Sequence, residues 1–365
     1  MGVAPRALID HAALRHNLKQ ARQAAEGSSV WAVIKADGYG HGLLRVAKCL
    51  READGFAIAR LDEALFLRKN GIENPLLVLS ACATRRDFEQ AIDADIEVVL
   101  HHRQQLAELP SSRSESGLLN VWLKVDTGMH RLGFEATEIP QIARQLKDHS
   151  VVDQINLMTH LANADDPDDP LTAIQCERLF SIDSTPFKAT SIANSAAILG
   201  SPASHADWVR PGIMLYGASP FTNATAAEHG LRPVMTLCSQ VIAVKTCQAG
   251  EPIGYGGSYI CPEAMPVAVV AVGYGDGYPR HAPSGTPVLV NGIRLPIVGR
   301  VSMDMISVDA RKLPEIEIGD EVVLWGKGLP VDEIAHMAGT IAYELLCGVK
   351  QRVSFVDLNL GEVKK

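Results

Sequence analysis

Short β-rich apolar runs alternate with amphipathic helical stretches through the first two-thirds of this chain, and that alternation limits the folds open to it. The runs are Val30–Ile34, Phe56–Ala59, Leu76–Leu79, Val98–Leu100, Val121–Val125, Ile155–Thr159, Ala189–Ile192 and Trp208–Tyr216. Between most of them lie stretches such as Leu43–Glu52, Leu61–Lys69, Arg85–Ile92 and Ile139–Leu146, with apolar residues at i, i+3 and i+4. A further helix, with Asp10 as its N-cap, precedes the first run. Strand and helix in repeated alternation give parallel βα units, because parallel strands need a crossover between them. Eight such runs predict a closed (β/α)8 barrel of the TIM type.

After Leu231 the texture changes. Strand-like runs lie close together between Gly and Pro: Val241–Val244, Val267–Val272, Val288–Val290, Leu295–Val298 and Val322–Trp325. Asn291-Gly292 separates two of them, a hairpin signal, since a type I′ turn needs positive φ at both central residues. One helix, Val331–Leu346, and a strand, Val353–Leu358, follow. The expected division is a barrel over residues 1–231 and a smaller, mainly β domain over 232–365, which suits a chain of 365 residues.

Composition excludes several functions. Apolar residues make up 47% and charged residues 21%, so a sizeable core can form. A net charge of −8, with no basic stripe, disfavours nucleic acid and anionic membrane as partners. Apolar runs such as Val267–Val272 fall far short of the roughly 20 residues that span a bilayer. The opening MGVAPRALID has no signal-peptide core, and Arg6 stands where myristoylation requires Ser or Thr. The expected compartment is the cytoplasm. Seven cysteines without a C-x-x-C read as reduced thiols. No metal site is expected: H-E-x-x-H is absent, and the acidic Ala164–Pro170 stretch, taken as a calcium loop from Asp166, would need Gly at Leu171.

A barrel of this type works at the C-terminal ends of its strands. Lys35 follows the first run, Arg131 lies past the fifth, His160 follows the sixth, Asn194-Ser195 the seventh, and Arg210 falls within the eighth. Singly, each is an ordinary strand cap or packing residue. Together they place an amine, two guanidiniums, an imidazole and a hydroxyl on one rim. A dinucleotide fingerprint fits the same turn poorly, because G-x-G-x-x-G would put its third glycine at Leu43.

The segment Val33-Ile-Lys-Ala-Asp-Gly-Tyr-Gly-His-Gly42 resembles the cofactor-lysine signature of the alanine racemases. Leu123–Gly133, Met158-Thr-His160, Ala193–Ala196, Val209–Gly217, Gly254-Tyr-Gly256, Gly273-Tyr-Gly-Asp-Gly277, Gly299–Asp304 and Tyr343-Glu344 are similar to further motifs of that family, in order along the whole chain. The resemblance implies a pyridoxal 5′-phosphate (PLP) isomerase that interconverts L- and D-alanine, for peptidoglycan precursors or D-alanine catabolism. It also implies a homodimer with shared active sites.

It implies site residues as well. Lys35 would carry PLP and act as one base, helped by apolar surroundings that disfavour its charge. Tyr39, Ser195, the backbone of Gly212 and Ile213, and Tyr343 would hold the phosphate. Arg131 would meet the phenolic oxygen, with Lys124, carbamylated in many relatives, behind it. Arg210 would face the pyridine nitrogen and, being permanently charged, leave it unprotonated. Tyr255, from the partner subunit, would be the second base. A free tyrosine titrates near 10, so His160, linked towards Arg210, would assist it. Met303 would offer its N–H to the substrate carboxylate beside Arg131, and Arg280, Arg300, Asp304 and Tyr343 would support or line the entrance. Ser302 departs from relatives that carry cysteine there, which concerns local packing.

Rival readings remain open at this level. A racemase of wider scope, acting on serine and alanine, would share most of these residues. A PLP decarboxylase would be better served by an acid than by Arg210. A non-catalytic PLP-binding protein would not need Tyr255.

Overall fold

The computed structural model describes residues 4–112 and 117–360. They form two compact units, one of residues 15–215 with 220–224, the other of residues 4–14, 216–219 and 225–360. The first strand of the chain, β1 (Arg6–Asp10), belongs to the second unit and is not anticipated by patterning. Asp10 ends it and caps the next helix, its Oδ1 accepting the N–H groups of Ala12 at 2.8 Å and Ala13 at 3.1 Å.

The first unit is the closed barrel: β2 (Ser29–Val33), β3 (Gly55–Arg60), β4 (Leu76–Ala81), β5 (Glu97–Leu100), β6 (Leu119–Lys124), β7 (Val152–Met158), β8 (Thr190–Asn194) and β9 (Trp208–Arg210). All neighbours are parallel, and β2 closes on β9 through Ser29↔Trp208 and Val30↔Val209. The eight strands follow the eight expected runs, because buried parallel strands read as continuous apolar stretches. The last run is shorter than expected. It stops at Arg210, since Pro211 has no N–H for a ladder, and Ile213–Tyr216 becomes a 3-10 turn.

Between strands, local chemistry starts the helices. Thr84 caps Arg85–Asp93, its hydroxyl accepting the Asp87 N–H while Asp87 accepts the Thr84 N–H at 2.9 Å, a reciprocal capping box. Three tryptophans pack inside the barrel: Trp31 stacks on Trp208 at 4.4 Å, and Trp122 meets Trp31 edge-on at 6.2 Å.

The Trp122 indole donates to Glu97 at 2.6 Å. Burial pushes the Glu97 carboxyl up to about 7; the indole bond opposes that rise and the Asp95 charge adds to it. The folded chain therefore holds this proton more tightly than the unfolded one. Glu97 contributes most below its unfolded value near 4.5, and that contribution is lost as pH rises through 7. Glu97→Gln keeps an acceptor for Trp122 without the charge. Its stability gain over the parent should grow from pH 5 to pH 8, to on the order of 2 kcal/mol. Thermal melts at both pH values check this, and a gain that shrinks with pH would refute it.

The second unit is built on an eight-stranded sheet in the order β13-β16-β15-β14-β17-β10-β1-β18, with β13 also pairing β10. Its strands are β10 (Met235–Cys247), β13 (Met265–Val270), β14 (Pro287–Val290), β15 (Ile293–Val298), β16 (Ile306–Asp309), β17 (Glu321–Trp325) and β18 (Ser354–Leu358), besides β1. A small hairpin of β11 (Pro252–Ile253) and β12 (Tyr259–Ile260) stands apart. The Asn291-Gly292 turn forms as expected, with φ of 51° and 79° and Val290 opposite Ile293. The expected helix Val331–Leu346 is two, Val331–Met337 and Ala342–Cys347, because Gly339 takes the left-handed conformation (φ 67°) and stops the first. Among the described residues no helix is long and apolar enough to cross a membrane, and no disulfide joins the cysteines.

Candidate active site

Strand β2 ends at Val33, and Lys35 opens an unusual turn. Ala36, Asp37, Gly38 and Tyr39 lie consecutively in the left-handed region, with φ of 54°, 54°, 61° and 52°. For an L side chain this conformation costs about 1–2 kcal/mol per residue, so the surroundings must impose it. Hydrogen bonds do so: Gly40 N–H to Ala36 O at 3.0 Å, Gly42 N–H to Asp37 O at 2.8 Å, and Leu43 N–H to the Asp37 carboxylate at 2.7 Å. Buried His41 donates Nδ1–H to the Tyr39 carbonyl at 2.8 Å, and burial pushes its pKa down to about 4. The turn directs the buried Tyr39 ring back towards Gly212: a Cβ at Gly212 would lie 2.6 Å from the Tyr39 hydroxyl. Only glycine permits that approach.

Four further candidates lie at the same strand ends. Lys124 is the last residue of β6, Arg131 lies in the loop beyond it, His160 follows β7, and Arg210 ends β9. Their charges act on one another. Burial, then Arg210, Arg131 and Lys35, bring the Lys124 amine down to about 8, against a smaller opposing pull from Asp126. Burial and the same cations, with Lys124, push the His160 imidazole well below its usual value, leaving it neutral at pH 7. Burial lowers Arg210 to about 10, still protonated. The Arg210 guanidinium donates to the Thr159 carbonyl at 2.6 Å, the Ile192 carbonyl at 3.0 Å, the Ser191 hydroxyl, and His160 Nδ1 at 3.4 Å.

Other residues support these candidates, and Gln175 among them lies outside every motif. Asp126 accepts the N–H groups of Gly128 and His130, each at 3.0 Å, and shapes the loop that bears Arg131. Burial would raise its carboxyl, but these bonds hold it below its ordinary value. Fully buried Gln175 donates to the Thr127 hydroxyl and the His160 carbonyl, both at 3.1 Å, and accepts from Ala162 at 2.9 Å. Its only sequence signal is a polar residue on the apolar face of Leu171–Phe180. Ser195 Oγ accepts the Gly212 N–H at 2.8 Å and the Met214 N–H at 3.4 Å, which gathers Ser195, Gly212 and the start of the Ile213 turn.

The other candidates belong to the second unit. Tyr255 sits at the tip of the β11–β12 hairpin between Gly254 and Gly256 and is 70% exposed. Arg300 packs beside that tip, 3.3 Å from the position of a Cβ on Gly256. Met303 and Tyr343 are exposed apolar side chains, and Arg280, Arg300 and Asp304 are exposed as well.

A parallel barrel that gathers a lysine, two guanidiniums and an imidazole at its strand ends, followed by a β unit, defines a class of lysine-dependent barrel enzymes. The comparisons narrow it. Residues 9–220 match the alanine racemase N-terminal domain family and residues 234–356 the alanine racemase C-terminal domain family. The alanine racemase of Coxiella burnetii (strain CbuG_Q212) is 48% identical over 96% of this chain and 98% of its own length. That of Nitrosococcus oceani is 51% identical over the same shares. Among solved structures, the biosynthetic alanine racemase from Pseudomonas aeruginosa superposes with a TM-score of 0.93 at 42% identity, covering 98% of this chain and 100% of that one. The alanine racemase from Bartonella henselae, solved with covalently bound pyridoxal phosphate, has a TM-score of 0.87 at 27% identity over the same shares. The chain belongs to the alanine racemase family. Its activity is the PLP-dependent interconversion of L- and D-alanine.

Proposed function

We propose that Lys35 carries the PLP of this racemase and that the reaction is a two-base proton transfer at the alanine Cα. One observation carries the reading: Lys35, Lys124, Arg131, His160 and Arg210 act on one another at the barrel's strand ends. Asp126, a carboxylate that acts on Lys124, is already turned to backbone N–H groups. Such an excess of positive charge fits an anionic cofactor, and the close approach of the Tyr39 hydroxyl to Gly212, beside Ser195, gathers hydroxyl and amide donors of the kind that hold a phosphate.

In this reading Tyr39, Ser195, Tyr343 and the Gly212 and Ile213 amides hold the phosphate. Arg210 faces the ring nitrogen and Arg131 the phenolic oxygen. When bound, the cofactor supplies an electron sink for the pair left at the Cα. Arg210, protonated at neutral pH, gives that nitrogen no proton, which keeps the sink weak and favours prompt return of a proton to carbon. The Lys35 amine takes or gives the proton on one face. The partner subunit's Tyr255 does so on the other, with neutral His160, whose Nδ1 accepts from Arg210, turning its Nε2–H to the phenolic oxygen as donor. Lys124, with much of its amine neutral near pH 8, is the group open to carbamylation. Met303 N–H and Arg131 hold the substrate carboxylate, and Arg280, Arg300 and Asp304 line the way in.

The exposure of Tyr255, Met303, Met305 and Tyr274 supports a homodimer in which residues 232–365 complete the partner's site. A cytoplasmic location accompanies this reading.

The test is racemisation in deuterium oxide over several amino acids. L-alanine should yield D-alanine with one solvent deuteron at the Cα, and serine should turn over far more slowly. Release of carbon dioxide, or no exchange at enzymatic rates, would overturn the proposal.

A further inference from the structure

The motif Gly273-Tyr-Gly-Asp-Gly277 holds a carboxylate to which the roles above give no task. Asp276 is buried. One of its oxygens accepts the Gly273 N–H at 2.9 Å, and the other accepts Arg352 Nε at 2.7 Å. The Asp276 carbonyl takes the Lys350 N–H at 3.0 Å, which fixes the segment from which Arg352 projects. Arg352 then reaches outward, its Nη2 donating to exposed Asp304 at 2.6 Å. One guanidinium thus ties a buried carboxylate to a surface one.

The same loop grips the residues around Met303. Tyr274 N–H donates to the Ser302 carbonyl at 3.0 Å, Gly275 N–H to the Met303 carbonyl at 2.8 Å, and Ser302 N–H closes the turn on the Met305 carbonyl at 2.9 Å. A Cβ at Gly273 would lie 2.3 Å from the Ser302 and Met303 carbonyl oxygens, so the two segments meet only because that residue is glycine. Among the described residues no acceptor meets the Met303 N–H. The turn is therefore held from its Ser302 and Asp304 sides, with one amide left to donate.

We infer that Arg352, anchored on Asp276, is a positioning residue that holds the 302–305 turn so that the Met303 N–H is presented to the substrate carboxylate. This rests on the role proposed for Met303. An isolated surface pair of Arg352 with Asp304 would contribute little. The buried anchor changes that: with Nε committed to Asp276, the planar fork has one orientation left in which to meet Asp304.

The experiment compares the full-length, cofactor-loaded parent with Arg352→Ala and Arg352→Lys. Two quantities are read: hydrogen exchange of a peptide spanning 302–305, and KM and kcat for L-alanine. Arg352→Ala should exchange faster in that peptide and raise KM about 10- to 100-fold with kcat changed less than about threefold, the pattern of lost substrate binding. Arg352→Lys keeps the charge without the fork and should fall between. It gives the same readings at smaller size should the alanine variant fail to fold. Unchanged exchange in the folded variants overturns the clamp and leaves the Met303 role standing. Faster exchange with unchanged KM overturns the link to substrate, and the Met303 role with it. A fall in kcat at unchanged KM also overturns the inference.

Discussion

Lys35→Ala should lower racemisation at least about 10⁴-fold, because one side chain both holds the cofactor and moves a proton, and losing either role alone costs orders of magnitude. The protein should still fold. The left-handed turn after Lys35 is closed by Gly40 N–H to Ala36 O, Gly42 N–H to Asp37 O and the Asp37 carboxylate on Leu43, none of which uses the lysine side chain. Circular dichroism and a melting temperature within a few degrees of the parent would establish that. Lys35→Arg should be nearly as inactive, since a guanidinium is neither a nucleophile nor a base at neutral pH. More than about one per cent of parental activity in pure Lys35→Ala would remove this residue from the chemistry.

Mixing Lys35→Ala with Tyr255→Phe should restore activity that neither protein has. If each site takes its lysine from one subunit and its phenol from the other, a hybrid dimer contains one intact site and one doubly defective site. Random reassembly makes half of the dimers hybrids, so recovery should approach roughly a quarter of the parental rate. Tyr255→Phe suits this design: the side chain is 70% exposed on a hairpin tip, and losing its hydroxyl leaves no cavity. The measurement is alanine racemisation after the two proteins have been dissociated together and reassembled. Activity no greater than the sum of the separate variants would mean that lysine and tyrosine serve the same subunit's site, or different reactions.

The barrel was legible because parallel strands buried on both faces must be written as apolar runs, and Val30–Ile34 through Ala189–Ile192 mark β2 to β8 to within a few residues. Asn291-Gly292 was legible for an equally local reason. What escaped depends on remote partners. Nothing in Arg6–Asp10 announces a strand, since its ladder is supplied by β10 and β18. The glycines after Lys35 promise a tight turn, but Ala36, Asp37 and Tyr39 share its left-handed conformation, which only tertiary bonds can enforce. The site divides likewise. Lys35, Tyr39, Lys124, Arg131, His160, Ser195, Arg210 and Tyr255 lie in motifs that a reader can match by resemblance. Gln175 and Arg352 act through partners many residues away, Thr127 for the one and Asp276 for the other, and periodicity carries no trace of such pairings.

Strand β1 lies between β10, antiparallel to it, and β18, parallel to it, with Arg6 opposite both Cys238 and Ser354. The first of these partners follows the whole barrel in the chain, and the second comes more than a hundred residues after that. Neither ladder of β1 is local, and its pairing with β18 joins residues about 350 apart in sequence, a contact of very high contact order. The barrel depends less on such contacts, because seven of its eight pairings join consecutive strands and only β2 with β9 closes at long range. The sheet that β1 joins thus binds the two ends of the described chain together, whereas the barrel is assembled almost wholly from neighbours in sequence.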